Sequence, residues 1–210
     1  MKNSEAFSRH INNRIYYSQA GQDLFVVEML KRKKNGYYCE VGGNHPFDSN
    51  NTYLLESEYG WKGMSIEYDK ELVIKYNAQR ENSCIHSDAT DFDYLDFFKS
   101  NLYPKQIDYL SLDIDPAENT YKALLQIPFD EYRFSVITYE HDRYSSGPNF
   151  MNKSRDFLNS KGYKMVIGNV KIFGRDFEDW YVDESIVGRE CWGFYENVNL
   201  EFSEIFNSKF

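Results

Sequence analysis

Strand-like and helix-like segments alternate along most of this chain, and the first strand-like segment breaks at a double glycine. Tyr37 to Asn44 read YYCEVGGN. Apolar residues suited to a buried strand lead into the acid Glu40, then Val41 and Gly42-Gly43. Without Cβ atoms such a turn takes unusual dihedrals and lets a ligand approach the backbone. Alternation of strand and helix predicts an α/β fold with a mostly parallel sheet and helices on both faces. In an open sheet of that kind ligands sit beyond the carboxyl ends of the strands.

The periodicity predicts strands over Tyr37–Val41, Gly63–Glu67, Ser83–His86, Ile107–Asp113, Phe134–Glu140, Tyr163–Ile167 and Phe177–Val182. It predicts helices over Gln22–Lys33, Asn50–Tyr59, Glu71–Gln79, Tyr94–Ser100, a stretch ending near Gln126, and Asn149–Lys161. Asp69 fits an N-cap. Asp115, Pro116 and Glu118 fit the N-cap, first helical position and reciprocal capping position of the fifth helix. The basic run Lys31-Arg32-Lys33-Lys34 reads as the end of the first helix, paired with its dipole.

Residues 1–210 read as one domain, with an N-terminal extension over about 1–16 and an aromatic segment over about 188–210 that has no assigned role. No apolar run approaches a membrane span, and the N-terminus lacks the apolar core of a secretory signal. Three widely spaced cysteines, Cys39, Cys84 and Cys191, read as reduced thiols in a cytoplasmic protein. A net charge of -9 disfavours nucleic acid as a partner. Oligomeric state is not written in the sequence.

Polar residues close the predicted strands: Glu67 the second, Ser87-Asp88-Ala89 the third, Asp113 the fourth, Glu140-His141-Asp142 the fifth. In a parallel sheet these tips share one rim. Glu67 lies 24 residues after Gly43, near the spacing of the acid that accepts ribose hydroxyls in dinucleotide folds. Asp88 is placed to accept from an adenine amino group or to cap a turn. Asp113 ends an apolar strand, where an unpaired buried carboxylate is costly. His141, between two acids, is a candidate general base or a structural histidine. No third glycine follows before Gly60, which argues against a pyrophosphate cradle, and no P-loop is present. A mononucleoside cofactor fits better.

Taken in order, the motifs resemble the FkbM-type family of S-adenosylmethionine-dependent methyltransferases. Ser18-Gln19-Ala20-Gly21-Gln22-Asp23 is similar to its opening motif. Glu40-Val41-Gly42-Gly43 resembles its cofactor turn, and Asn51 to Glu56 its following helix. Gly60-Trp61-Lys62-Gly63 with Ile66-Glu67, Ile107 to Asp113, Thr138 to His141 and Phe177 to Val182 continue the likeness. Gly43-Asn44-His45-Pro46 and Asp115-Pro116 depart from it.

The resemblance implies a Rossmann-like class I methyltransferase sheet of seven strands, the last antiparallel. It implies that Glu40, Gly42 and Gly43 meet the amino-acid end of S-adenosyl-L-methionine, Glu67 the ribose, and Asp88 with Ala89 the adenine. It also implies O-methylation of a carbohydrate or small-molecule acceptor, with a sugar hydroxyl as first choice. His141 is then the expected base, with Glu140 or Asp142 orienting it, and Asp113 positions the hydroxyl or the sulfonium. A metal-assisted variant has Asp113, Glu140 and His141 holding Mg²⁺ or Mn²⁺. Tyr144, Trp180, Trp192 and Tyr195 are candidates for stacking on a sugar. Two alternatives are a nicotinamide-dependent oxidoreductase and a non-catalytic adenosyl-ligand-binding partner subunit.

Overall fold

The structure is a computed structural model that describes residues 3–195 and 201–207. A short antiparallel hairpin, β1 (Arg9–Ile11) and β2 (Arg14–Tyr16), precedes helix α1 (Gln22–Met29). The main sheet then builds from β3 (Tyr37–Val41), β4 (Lys62–Glu67), β5 (Ser83–His86), β6 (Gln106–Leu112), β7 (Arg133–Glu140), β8 (Lys164–Ile172) and β9 (Arg175–Val182). Their order across the sheet is β5-β4-β3-β6-β7-β9-β8. Neighbours from β5 to β7 are parallel, while β9 runs antiparallel to both β7 and β8. The expected seven-stranded sheet with its last strand reversed is the observed one.

Helices α2 (Tyr53–Tyr59), α3 (Lys70–Asn77), α4 (Tyr94–Ser100), α5 (Ala117–Gln126), α6 (Arg143–Ser146) and α7 (Pro148–Ser160) connect the strands. The central strand β6 is buried from Ile107 to Leu112, as a strand covered on both faces must be. One apolar cluster joins Phe25, Tyr38, Trp180 and Phe206, and a second joins Leu110, Phe134, Ile137 and Phe98. Helix α8 (Arg189–Trp192), a 3-10 turn (Gly193–Tyr195) and α9 (Phe202–Asn207) complete the described chain. Trp192, Tyr195 and Phe206 are buried in the first cluster, so much of the segment beyond 188 serves packing. Residues 196–200 and 208–210 of that segment lie outside the described residues.

Three local expectations are corrected. Helix α1 stops at Met29, because Lys31 and Arg32 take positive φ (51° and 58°) and turn the chain away. Lys31 then pairs with Glu190 at 2.7 Å and Lys33 with Asp108 at 2.6 Å, rather than with a helix terminus. Pro116, not Asp115, is the N-cap of α5, and Glu118 pairs forward with Lys122 at 2.8 Å instead of capping. Strand β8 runs to Ile172, five residues further than predicted, through register shifts that break its alternation. The Asp69 cap is as expected, accepting from the Glu71 and Leu72 amides.

Candidate functional site

The strand order reverses between β3 and β6, and β3 leaves the sheet there through Gly42. The Asp113 amide donates to the Val41 carbonyl at 2.9 Å, drawing the exits of β6 and β3 together. Gly42 has φ 96°, and a Cβ built on it would lie 1.8 Å from the Asp113 carbonyl oxygen. No other residue fits that position. The Gly42 and Gly43 amides both donate to the Ile66 carbonyl at 2.9 Å, so the turn folds back onto β4. Topology thus opens a crevice where open α/β sheets bind ligands.

That crevice is a cavity of about 640 Å³. Gly42, Glu67, Asp88, Ala89 and Asp113 line it, together with Asn44, Tyr68 and Asn119. Both oxygens of Glu67 are held by backbone amides. Asn44 donates to Oε2 at 2.9 Å and Asp69 to Oε1 at 2.8 Å. The carboxylate is therefore fixed in place with acceptor capacity left over. Asp88 is fixed similarly, its Oδ1 accepting from the Thr90 amide (2.8 Å) and hydroxyl (2.7 Å). Those bonds hold its carboxyl below the ordinary range, so it stays an acceptor at neutral pH. Asn44 was invisible as a site residue, since it acts through its backbone amide, and Thr90 because it acts only by fixing Asp88 through its amide and hydroxyl. A hollow of about 690 Å³ beside α1 and α2 is similar in size but holds none of the strand-end acids.

Glu40 lies elsewhere than expected. It is buried beneath the turn, accepting from Ser65 (2.5 Å), Thr52 (3.1 Å) and Asn50 (3.4 Å), and it does not line the cavity. The strand pleat turns its side chain to the face covered by α2 and α3, where the buried Arg80 also sits. Burial pushes its carboxyl up to about 7, opposed by Arg80 and by the hydroxyl and amide donors. Gly43 also stays outside the lining, since a Cβ there would press on Ser65 and Cys84. Both support the turn from behind.

His141 is likewise displaced. Its imidazole is fully buried, with Nε2 3.4 Å from Asp179 and Nδ1 accepting from the Arg143 amide. Asp179 is engaged by Arg155 at 2.7 Å, and these pairings hold its carboxyl at about 2 against the opposing effect of burial. The turn at Asp142 (φ 46°) sends the amides of His141 and Asp142 onto the Phe177 carbonyl, which aims the ring under β9. Asp113, Glu140 and His141 therefore do not converge on one point. Among the described residues, no group of three His, Cys, Asp or Glu is arranged to hold a metal ion.

What gathers instead is a row of carboxyls. Gly42 faces Asp113, which extends the β3–β6 register by one residue. Asp113 faces Glu140 in the same way, and Glu140 stands directly opposite Glu178 of β9. Asp113 and Glu140 share a hydrogen bond, and Glu140 also bonds Asp142. Burial, with Asp113, Asp142 and Glu178 as acidic neighbours, pushes the Glu140 carboxyl well above the ordinary range. Burial does the same to Glu178, which accepts from the Trp180 indole at 2.6 Å. Sequence reading missed Glu178, whose signal was only its place opposite Glu140 once strand pairing is known. Of the candidate stacking residues, Trp180, Trp192 and Tyr195 are core, and Tyr144 is half exposed.

Comparison with solved structures agrees with this architecture. Cofactor-bound Rv0187 from MTB superposes with a TM-score of 0.58 at 15% identity, over 81% of this chain and 82% of that one. An O-methyltransferase from Bacillus cereus in complex with SAH gives 0.53 at 14%, over 80% and 82%. A candidate rRNA methylase from Clostridium thermocellum gives 0.54 at 12%, over 80% and 96%. The fold is that of class I S-adenosylmethionine-dependent methyltransferases. No family model matches the sequence, and no curated protein matches it. The narrower FkbM-type likeness therefore stands on the motifs alone. No helix among the described residues is long and apolar enough to cross a membrane.

Proposed function

We propose that the protein is an S-adenosylmethionine-dependent O-methyltransferase acting on a hydroxyl of a sugar or small glycoside. The observation that carries the cofactor reading is Glu67, its carboxylate clamped by two backbone amides on a cavity shared with Gly42 and Asp88. A carboxylate so held accepts the two ribose hydroxyls, and Asp88 beside Ala89 accepts from the adenine amino group. Gly42 leaves its backbone bare for the amino-acid end, which Asn44 and Asp113 flank. When bound, the cofactor supplies a methyl group on a sulfonium sulfur. The chain's own task is to hold that methyl in line with the acceptor oxygen. Solved structures of the same fold include an O-methyltransferase in complex with SAH, which favours oxygen as the acceptor atom. The sugar rests on the motif resemblance.

Two experiments test this reading. In a thermal-shift and calorimetry panel, S-adenosylhomocysteine binds and stabilises the protein and NAD does not. At a ligand concentration of 100 Kd the gain is about 2.7 kcal/mol. Incubation with S-adenosylmethionine and a panel of methyl glycosides then gives products heavier by one methyl group in the mass spectrum. Absence of heat with S-adenosylhomocysteine rejects the cofactor, and binding without a methylated glycoside rejects the acceptor class.

A further inference from the structure

Glu140 stands between two spaces. On one side its partner Asp113 lines the cofactor cavity. On the other, Glu140 itself lines a recess of about 120 Å³ with Gln19, Tyr144, Arg175 and Phe177. The Arg175 guanidinium lies over the Tyr144 ring, 5.4 Å from its centroid. Like-charged residues directly opposite one another on a sheet are destabilising. Here Asp113, Glu140 and Glu178 occupy one transverse row, and Asp142 and Asp115 add further acids beside it. Tyr144 and Arg175 are the other titratable groups that face Glu140 across the recess. Such a row keeps its integrity by sharing protons, as closely spaced carboxyls do.

We propose that the Asp113–Glu140 carboxyl pair is the proton acceptor of the methyl transfer, with the incoming hydroxyl seated in the recess in front of Glu140. The proposal rests on the cofactor reading above. Transfer forms a carbon–oxygen bond, breaks the carbon–sulfur bond and frees the hydroxyl proton, leaving a neutral thioether. The pair carries one proton and one negative charge beforehand and takes up the second proton, ending neutral. One positive charge, on the sulfonium, and one negative charge, on the pair, are thus consumed together. His141 has no part in this step, being closed off beneath β9.

The arrangement predicts a linkage that needs no acceptor. A sulfonium in the cavity lies in the field of the pair and favours its ionised form, whereas the neutral thioether does not. Calorimetric binding in buffers of differing ionisation enthalpy counts the protons released. S-adenosylmethionine should release a fraction of a proton, at pH above the ordinary carboxylate range, in excess of S-adenosylhomocysteine. In Glu140→Gln that excess is lost, while S-adenosylhomocysteine affinity stays within about twofold, since Glu140 does not line the cofactor cavity. Asp113→Asn gives the same loss of excess release and serves where the first variant folds poorly. Equal proton release by the two ligands in the native protein, or an excess that survives in both variants, overturns the proposal. Failure of both ligands to bind would instead reject the cofactor reading itself. With a turned-over glycoside in hand, Glu140→Gln should lower kcat by about 10²-fold or more and abolish the acid limb of its pH profile.

Discussion

An alanine at position 42 would meet two obstacles at once. It would have to hold φ at 96°, and its Cβ would collide with the Asp113 carbonyl. Backbone strain of this kind costs about 1–3 kcal/mol, and the collision adds to it. Gly42→Ala should lower the unfolding free energy by about 2 kcal/mol or more in urea titrations, and weaken S-adenosylhomocysteine binding because the β6 exit must shift. Glu67→Ala acts differently. It removes a carboxylate that serves the ligand more than the core, so S-adenosylhomocysteine affinity should fall at least about tenfold, or 1.4 kcal/mol, in calorimetry. Glu40 makes a third test. Its carboxyl is raised to about 7 from an ordinary 4.5, so between those values the folded chain binds more protons than the unfolded one. Stability therefore falls as pH rises through that window, by up to about 3 kcal/mol for this group. In Glu40→Gln that share of the slope should vanish from unfolding free energies measured across pH. A slope unchanged by the substitution would mean that Arg80 keeps Glu40 ionised throughout.

At the scale of elements, the strands were legible because apolar runs and their polar tips announce where a parallel sheet begins and stops. The ends of α1 and β8 were not. A helix that stops at Met29 while its basic residues continue is decided by a left-handed turn and by partners as far away as Glu190 and Asp108. Nothing local marks those. The site divides along the same line. Glu67, Asp88 and Asp113 sit on the rim as their strand-end positions implied, whereas Glu40 and His141 face away because the pleat and the turn at Asp142 aim their side chains. A residue's address on a strand was readable, and its heading was not. Helix α9 supplies the test at this scale. Phe206 is fully buried, 6.1 Å from the Trp180 ring, and pressed against Gly21. Phe206→Ala should cost about 3–5 kcal/mol by chemical denaturation, although the residue is far from any proposed ligand.

The molecule as a whole sets its acid excess against one ordered sheet. Much of that excess is exposed, but in the row from Asp113 to Glu178 the first two carboxyls are partly buried and Glu178 is fully so, at a cost that packing elsewhere offsets. The core also joins distant parts of the chain. Asn12 donates to the Phe206 carbonyl at 2.9 Å, and the Arg14 guanidinium lies 5.3 Å from the centroid of the Phe206 ring. Contacts separated by almost two hundred residues close late in folding. Until residue 206 is in place, Gly21 and one side of the Trp180 ring lack the Phe206 ring that packs on them, and Asn12 lacks its acceptor. This part of the core is closed by the last described helix rather than by the sheet.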